Sequence, residues 1–144
     1  MSSLLSVFSI SGSGMSAETQ RLSTVASNLA NADSTVDSAG QPYRAREVVF
    51  AAAPSSSASV DATDSAATTG MGGVRVAGVV ESQQPLQQVY DPSNPYANAQ
   101  GYVQMPNVNP VDEMVNMISA QQDYQANLEA FNVAKTLALR TLSI

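Results

Sequence analysis

Residues 110–142 read PVDEMVNMISAQQDYQANLEAFNVAKTLALRTL. After Pro110 the run holds neither glycine nor proline. Met117, Tyr124, Phe131 and Ala138 recur every seven residues, and Met114, Leu128 and Leu142 fall on a second such row. A seven-residue apolar repeat keeps one stripe of a helix turned toward another helix. Asn109 suits the N-cap and Pro110 the first helical position. Asp112 and Glu113 lie in the first turn, and Lys135 and Arg140 near the other end, each where the helix dipole favours its charge. The stretch predicts one helix of roughly 48 Å at ~1.5 Å per residue. That is longer than a compact domain of this size can cover.

Outward from it, the N-terminal segment carries a matching stripe. Phe8, Met15, Leu22 and Leu29 recur every seven residues, with Leu4 and Val25 on the alternate row. Gly12-Ser13-Gly14 weakens any helix crossing it, since a glycine costs up to ~1 kcal/mol relative to alanine. The expectation is a short or frayed helix to about Ser13. A firmer helix then runs from an N-cap at Ser16 to about Asn31. Asn31, Asp33, Ser34 and Gly40 signal a loop.

Between the helices the pattern changes. Tyr43–Ala52 contains the β-prone Val48-Val49-Phe50. Val74–Glu81 alternates valine with other residues and predicts a strand pairing with Val48–Ala52. Gln83–Tyr90 and Gly101–Gln104 each predict a short strand, separated by the turn-rich Asp91-Pro92-Ser93-Asn94-Pro95. Residues 54–73, PSSSASVDATDSAATTGMGG, are low-complexity and read as a mobile surface insertion or hairpin tip. The fold class expected is mainly α with a small β region. Long terminal helices pack as a coiled-coil-like axial core in three parts: 1–33, a β-rich 34–105, and 106–144.

The 144 residues amount to one domain's worth of chain. Only 12% are charged and 6% aromatic, without Trp, so the core open to a lone chain is thin. Burial stabilises by roughly 25 cal/mol per Å². Helices rich in Ala, Ser, Asn and Gln therefore gain most when several neighbours surround them. The net charge is −6, and the six basic residues are scattered. That excludes the clustered basic face of nucleic-acid binding and a polybasic membrane patch. Without Cys or His, disulfides, thiolate or imidazole metal sites and Ser-His-Asp triads lose an essential member. No cofactor or metal is expected. Met1–Ile10 lacks the basic residues and continuous apolar run of a secretory signal, and no stretch reaches the ~20 apolar residues of a membrane span.

The remaining motifs carry no chemistry. Asp112 and Glu113 are adjacent on a helix, point to different faces, and cannot clamp one substrate atom. Gly70-Met71-Gly72-Gly73 lacks the Lys-Ser/Thr of a phosphate loop. Asp91-Pro92-Ser93-Asn94 lacks the spaced acidic ligands of a calcium loop. Catalysis is not expected.

Particular stretches resemble a known family. Ser13-Gly14-Met15-Ser16-Ala17-Glu18, Arg21-Leu22 and Ala26-Ser27-Asn28-Leu29-Ala30-Asn31 resemble the N-terminal signature of flagellar rod, hook and hook-associated axial proteins. Tyr124-Gln125-Ala126-Asn127 and Phe131-Asn132-Val133-Ala134-Lys135 are similar to the family's C-terminal block. Gly40-Gln41-Pro42-Tyr43-Arg44, Val89-Tyr90-Asp91-Pro92 and Gly101-Tyr102-Val103 through Val108 narrow the resemblance to the proximal rod branch. Asp33 to Gly40 lacks the Thr-Pro-Gly-Tyr turn of many members, which fits that branch.

The resemblance implies a structural subunit of the flagellar basal body, exported through the type III apparatus without a cleaved signal and built into the periplasmic rod. Its implied partners are copies of itself, other flagellar rod proteins, and MS-ring and export-gate components. Periodicity alone does not separate packing within a chain from packing between chains; the long helix and thin core favour the latter. The candidate subunit-interface residues on the N-terminal helix are Met15, Leu22, Val25, Asn28, Leu29 and Asn31. On the C-terminal helix they are Met114, Met117, Ile118, Gln121, Tyr124, Gln125, Asn127, Leu128, Phe131, Lys135 and Leu142. Gln121 and Lys135 interrupt the second row, where polar residues specify register and partner number. The competing readings are another flagellar axial subunit and a secreted helical adaptor.

Overall fold

The structure is a computed structural model, which describes residues 2–35, 41–54 and 71–142. Helix α1 spans Ser2–Ala30 and helix α2 spans Pro110–Leu142. Between them lie β1 (Arg46–Pro54), β2 (Met71–Glu81), β3 (Gln87–Tyr90) and β4 (Tyr102–Met105). The fold is mainly α with a small antiparallel β region.

Helix α2 starts where its cap requires. The Val111 amide donates to Asn109 Oδ1 at 3.1 Å, and the Glu113 amide to the Asn109 carbonyl at 3.0 Å. Asn109 Nδ2 donates to Asp112 Oδ2 at 2.8 Å, so the cap and the first-turn carboxylate support each other.

Helix α1 differs from expectation. It is continuous through Gly12-Ser13-Gly14, and Ser16 is an exposed mid-helix residue rather than a cap. The reason is tertiary. A Cβ at Gly14 would stand 3.0 Å from the Asn127 amide of α2, so the glycine makes room for that side chain. Ser13 Oγ donates to the Ile10 carbonyl at 2.7 Å and accepts from the Val74 amide of β2 at 3.1 Å. Packing on both sides offsets the ~1 kcal/mol propensity cost of each glycine.

The strands form two separate hairpins. β1 pairs antiparallel with β2, from Arg46↔Glu81 to Pro54↔Met71, with register shifts at Val49/Phe50 and Ala52/Pro54. The pairing of Val48–Ala52 with the second strand is as read from the sequence. The low-complexity boundaries are not: Pro54 and Met71–Gly73 belong to strands, and residues 55–70 lie outside the described residues. Gly73 takes φ +106°, and a Cβ there would meet Ser13 of α1, so only glycine fits both the backbone and the contact. β3 pairs with β4 from Gln87↔Met105 to Tyr90↔Tyr102. The Tyr90 and Tyr102 rings cross the pair edge to face, centroids 5.3 Å apart.

The core is small. Ala32, Tyr43, Ala45 and Val108 cluster where α1 ends and both hairpins begin. Asn107 ties this base together: its Oδ1 accepts from the Ala45 amide at 2.8 Å and its Nδ2 donates to the Gln84 carbonyl at 3.0 Å. Arg44 Nη1 reaches the Ser82 carbonyl at 3.2 Å.

Candidate subunit interface

The two helices pack against each other within one chain. Four contacts fix an antiparallel register. The Phe8 and Phe131 rings meet edge to face, centroids 4.9 Å apart. Gly14 faces Asn127. Arg21 Nη1 lies 3.6 Å from Asp123 Oδ2. Asn28 Nδ2 donates to Glu113 Oε2 at 3.1 Å. The pairing favoured between chains is thus made inside the chain for these residues.

The covered positions follow the expected period only in part. On α1, Phe8, Ser11, Met15, Glu18, Leu22, Val25 and Leu29, with Ala32 just past its end, are buried or half-buried, in alternating steps of three and four. Both apolar rows read from the sequence lie on this stripe, apart from the Leu4 side chain, which lies outside the described residues. On α2 the covered series is Glu113, Met117, Ala120, Tyr124, Asn127, Phe131, Ala134 and Ala138, again stepping by four and three. One expected row, Met117–Tyr124–Phe131–Ala138, faces inward. The other does not. Met114 is 50% and Leu128 40% exposed, and Gln121 and Lys135 are exposed with them. The Leu142 side chain lies outside the described residues. The inner partner row is Glu113, Ala120, Asn127 and Ala134.

The physical reason is close approach. Ala120 is fully buried and Ala134 is 4% exposed, so the backbones meet where side chains are shortest. Turning the other row inward would bury the Gln121 amide and the Lys135 ammonium without partners, a cost of several kcal/mol. Sequence reading missed Ala120, Ala134, Glu113 and Gly14 because none is strongly apolar. The signal present was the recurrence of a small residue at Ala120 and Ala134, fourteen apart in the same register.

What remains outside on α2 is two apolar patches, one in its first turns and one toward its end, separated by the exposed Gln121, Gln122, Gln125 and Glu129. Val111, Val115, Ile118, Val133 and Leu139 are each more than half exposed. Of the candidate interface residues, Met114, Ile118, Gln121, Gln125, Leu128 and Lys135 stand on this outer surface. Met117, Tyr124, Asn127 and Phe131 line the inner seam, with Met15, Leu22, Val25, Asn28 and Leu29 opposite on α1. Asn31 turns back on its own helix end, its Nδ2 donating to the Ser27 carbonyl at 2.8 Å.

The seam contains one charged cluster. Arg21 lies 3.6 Å from both Glu18 and Asp123, an ion-pair distance beyond hydrogen bonding, and the buried Glu18 Oε2 has no hydrogen-bond donor. Burial pushes the Glu18 carboxyl above the ordinary value of 4.5; the Arg21 charge opposes this and Asp123 adds to it. In the loop after β3, hydrogen bonds from Ser93 Oγ at 2.6 Å and the Ser93 amide at 3.2 Å hold Asp91 below the usual aspartate value.

A cleft of about 400 Å³ opens between α1, β1 and the first turns of α2, with Arg21, Thr24, Val48, Phe50 and Asn116 on its walls. It holds no paired nucleophile and base. Among the described residues no group of His, Cys, Asp or Glu is placed to hold a metal. No helix among the described residues is long and apolar enough to cross a membrane. The geometry supports helix packing, not turnover.

Comparison with known proteins agrees. Residues 8–36 match the model of the flagella basal body rod protein family, and residues 99–144 the model of the flagellar basal body rod FlgEFG protein C-terminal. The chain is 52% identical over 141 residues to the flagellar basal-body rod protein FlgC of Escherichia coli O6:H1, covering 98% of this chain and 97% of the relative. It is equally similar, with the same coverage, to FlgC of Salmonella typhimurium. It is 37% identical to FlgC of Bacillus subtilis over 94% of this chain and 93% of that one. Identity of this level across nearly the whole length, spanning both helices and both hairpins, places the chain in the FlgC family of flagellar basal-body rod proteins.

Proposed function

We propose that this chain polymerises in the proximal rod through the outer faces of its terminal helices, in the drive shaft that carries torque from rotor to hook. As a member of a structural rod family it is not an enzyme. The observation that carries the reading is the exposed apolar side chains at both ends of α2, Val111 at 66%, Val115 and Ile118 in its first turns and Val133 and Leu139 at 59% in its last ones, with exposed glutamines between them. Exposed apolar patches of this kind mark interaction sites. The chain exposes 10165 Å², against roughly 7,000 Å² for a compact monomer of its 15.0 kDa mass. A subunit with so much uncovered surface gains stability from neighbours.

In this reading 1–33 and 106–144 form a coiled-coil-like axial core and 34–105 stands outside it. Met114, Ile118, Gln121, Gln125, Leu128 and Lys135 meet neighbouring subunits, while the inner seam holds the hairpin of helices together. The partners are copies of this chain, other rod proteins, and MS-ring and export-gate components. Delivery runs through the type III export apparatus to the periplasmic rod without signal cleavage.

Leu128→Asp is the test. The residue is 40% exposed and outside the seam, so the variant costs the single chain about 1 kcal/mol, from helix propensity and partial burial, and stays folded. It is still secreted, and it fails to enter purified basal bodies. Normal incorporation of Leu128→Asp would sink the outer-face assignment.

A further inference from the structure

We infer that Asn28 is a three-way lock that makes docking of the β1–β2 hairpin conditional on the pairing of α2 with α1. The residue is 1% exposed, and every hydrogen-bonding position of its amide is used. Oδ1 accepts from the Arg46 amide at 2.9 Å and from the Tyr43 hydroxyl at 3.0 Å. Nδ2 donates to the Arg46 carbonyl at 2.8 Å and to Glu113 Oε2 at 3.1 Å. The orientation of the amide is forced, because the backbone N–H of Arg46 only donates and its carbonyl only accepts.

Two features make this more than a buried polar residue. Arg46 opens β1, and both its backbone groups turn to Asn28, while the neighbouring Ala45 carbonyl accepts from the Ser82 amide at 2.7 Å. The side chain therefore occupies the place of a further strand on the open edge of β1, at a single residue. The fourth bond leaves this backbone clamp and reaches the first turn of α2, 85 residues from Asn28 along the chain. Three chain segments converge on one amide: the 43–46 connector, the end of α1 and the start of α2. Ser27 Oγ, 3.3 Å from the Tyr43 hydroxyl, closes the ring on the α1 side.

The coupling follows from the cost of a partial network. If α2 leaves, its first turn no longer shields Asn28, and water competes for the amide and for both backbone groups of Arg46 that it holds. The clamp on Arg46 then weakens by exchange with water. The reverse holds by linkage: loosening the connector weakens the hold on Glu113 by the same factor. The hairpin's second attachment, Gly73 and Val74 against Ser13, lies about four turns back along α1 and is outside this coupling.

Amide hydrogen exchange on the full-length chain, resolved at single residues, tests the lock. In Glu113→Ala, exchange at the Arg46 amide is expected to rise about tenfold, while the Val103 amide in β4 is unchanged. Glu113→Gln keeps an acceptor for Asn28 and leaves Arg46 protected. Asn28→Asp sets a carboxylate against Glu113 and loosens both Arg46 and the first turn of α2. Adding Glu113→Gln to Asn28→Asp supplies a donor and restores protection in that turn. Unchanged Arg46 exchange in Glu113→Ala overturns the lock, as does a wild-type Arg46 amide that exchanges as fast as in an unfolded peptide. Equal loss of protection throughout the chain in Glu113→Ala also overturns it, since that is general unfolding.

Discussion

At the residue scale, the two glycines of the Gly12-Ser13-Gly14 stretch have opposite surroundings. A Cβ at Gly12 meets nothing within 4 Å, whereas one at Gly14 meets Asn127 at 3.0 Å. Gly12→Ala is therefore expected to stabilise the chain by about 0.5–1 kcal/mol, and Gly14→Leu to destabilise it by more than about 1 kcal/mol, in urea titrations. Asn28→Ala strands the Arg46 amide and carbonyl and leaves the Tyr43 hydroxyl with Ser27 alone, and should cost about 3 kcal/mol in the same measurement. Glu18 gives a pH dependence with a definite sign. Its folded carboxyl titrates above the ordinary value of 4.5, so between 4.5 and that raised value the folded chain binds more protons than the unfolded one. Stability then falls as pH rises through this window. Thermal melts should show the wild type gaining on Glu18→Gln as pH drops from neutral toward 4.5. None of these residue roles was legible beforehand: a glycine, an asparagine and a glutamate take their meaning from what lies across the seam.

At the element scale, α2 carries two apolar stripes, and its length, caps and period were all readable from residues 110–142. Which stripe turns inward was not. The chain buries the series containing Ala120 and Ala134 and leaves Met114, Ile118 and Leu128 outside. Phe131→Ala removes the edge-to-face partner of Phe8 and should lower stability by about 2 kcal/mol. Leu128→Asp, one helical turn away on the outer surface, should cost only about 1 kcal/mol. That contrast, read by urea unfolding of the two variants, separates the seam from the outer face. Helix α1 shows the limit of propensity: its glycines suggested a break, and contacts with Asn127 on one side and Val74 on the other keep it continuous. The 48–52 and 74–81 strands were legible because the β-prone Val48-Val49-Phe50 and the valine-alternating 74–81 flank a low-complexity insertion. The pairing of β3 with β4 was not, since two four-residue strands carry too little pattern to name their partner.

At the scale of the whole molecule, the helix hairpin, the β1–β2 strap along α1 and the small core at their common base form a subunit with little interior and much apolar surface. Pro54 pairs with Met71, so the two chain ends flanking residues 55–70 are already neighbours. Replacing 55–70 with a two-residue Asn-Gly turn should therefore preserve the fold and rod incorporation, checked by swimming of a complemented strain. Loss of incorporation with an intact fold would make that segment a contact surface. The amino-acid sequence by itself determined the elements, the thin core and the absence of catalytic groups. Periodicity, capping residues and composition are local properties, and they act before the chain closes on itself. Only the tertiary structure decided that the ends pair within one chain, that Ala120 and Ala134 rather than Gln121 and Lys135 face α1, and that Asn28 joins three segments. Those outcomes depend on how closely two backbones approach and on whether each buried polar atom finds a partner, and neither is written in the spacing of residues along one strand of text.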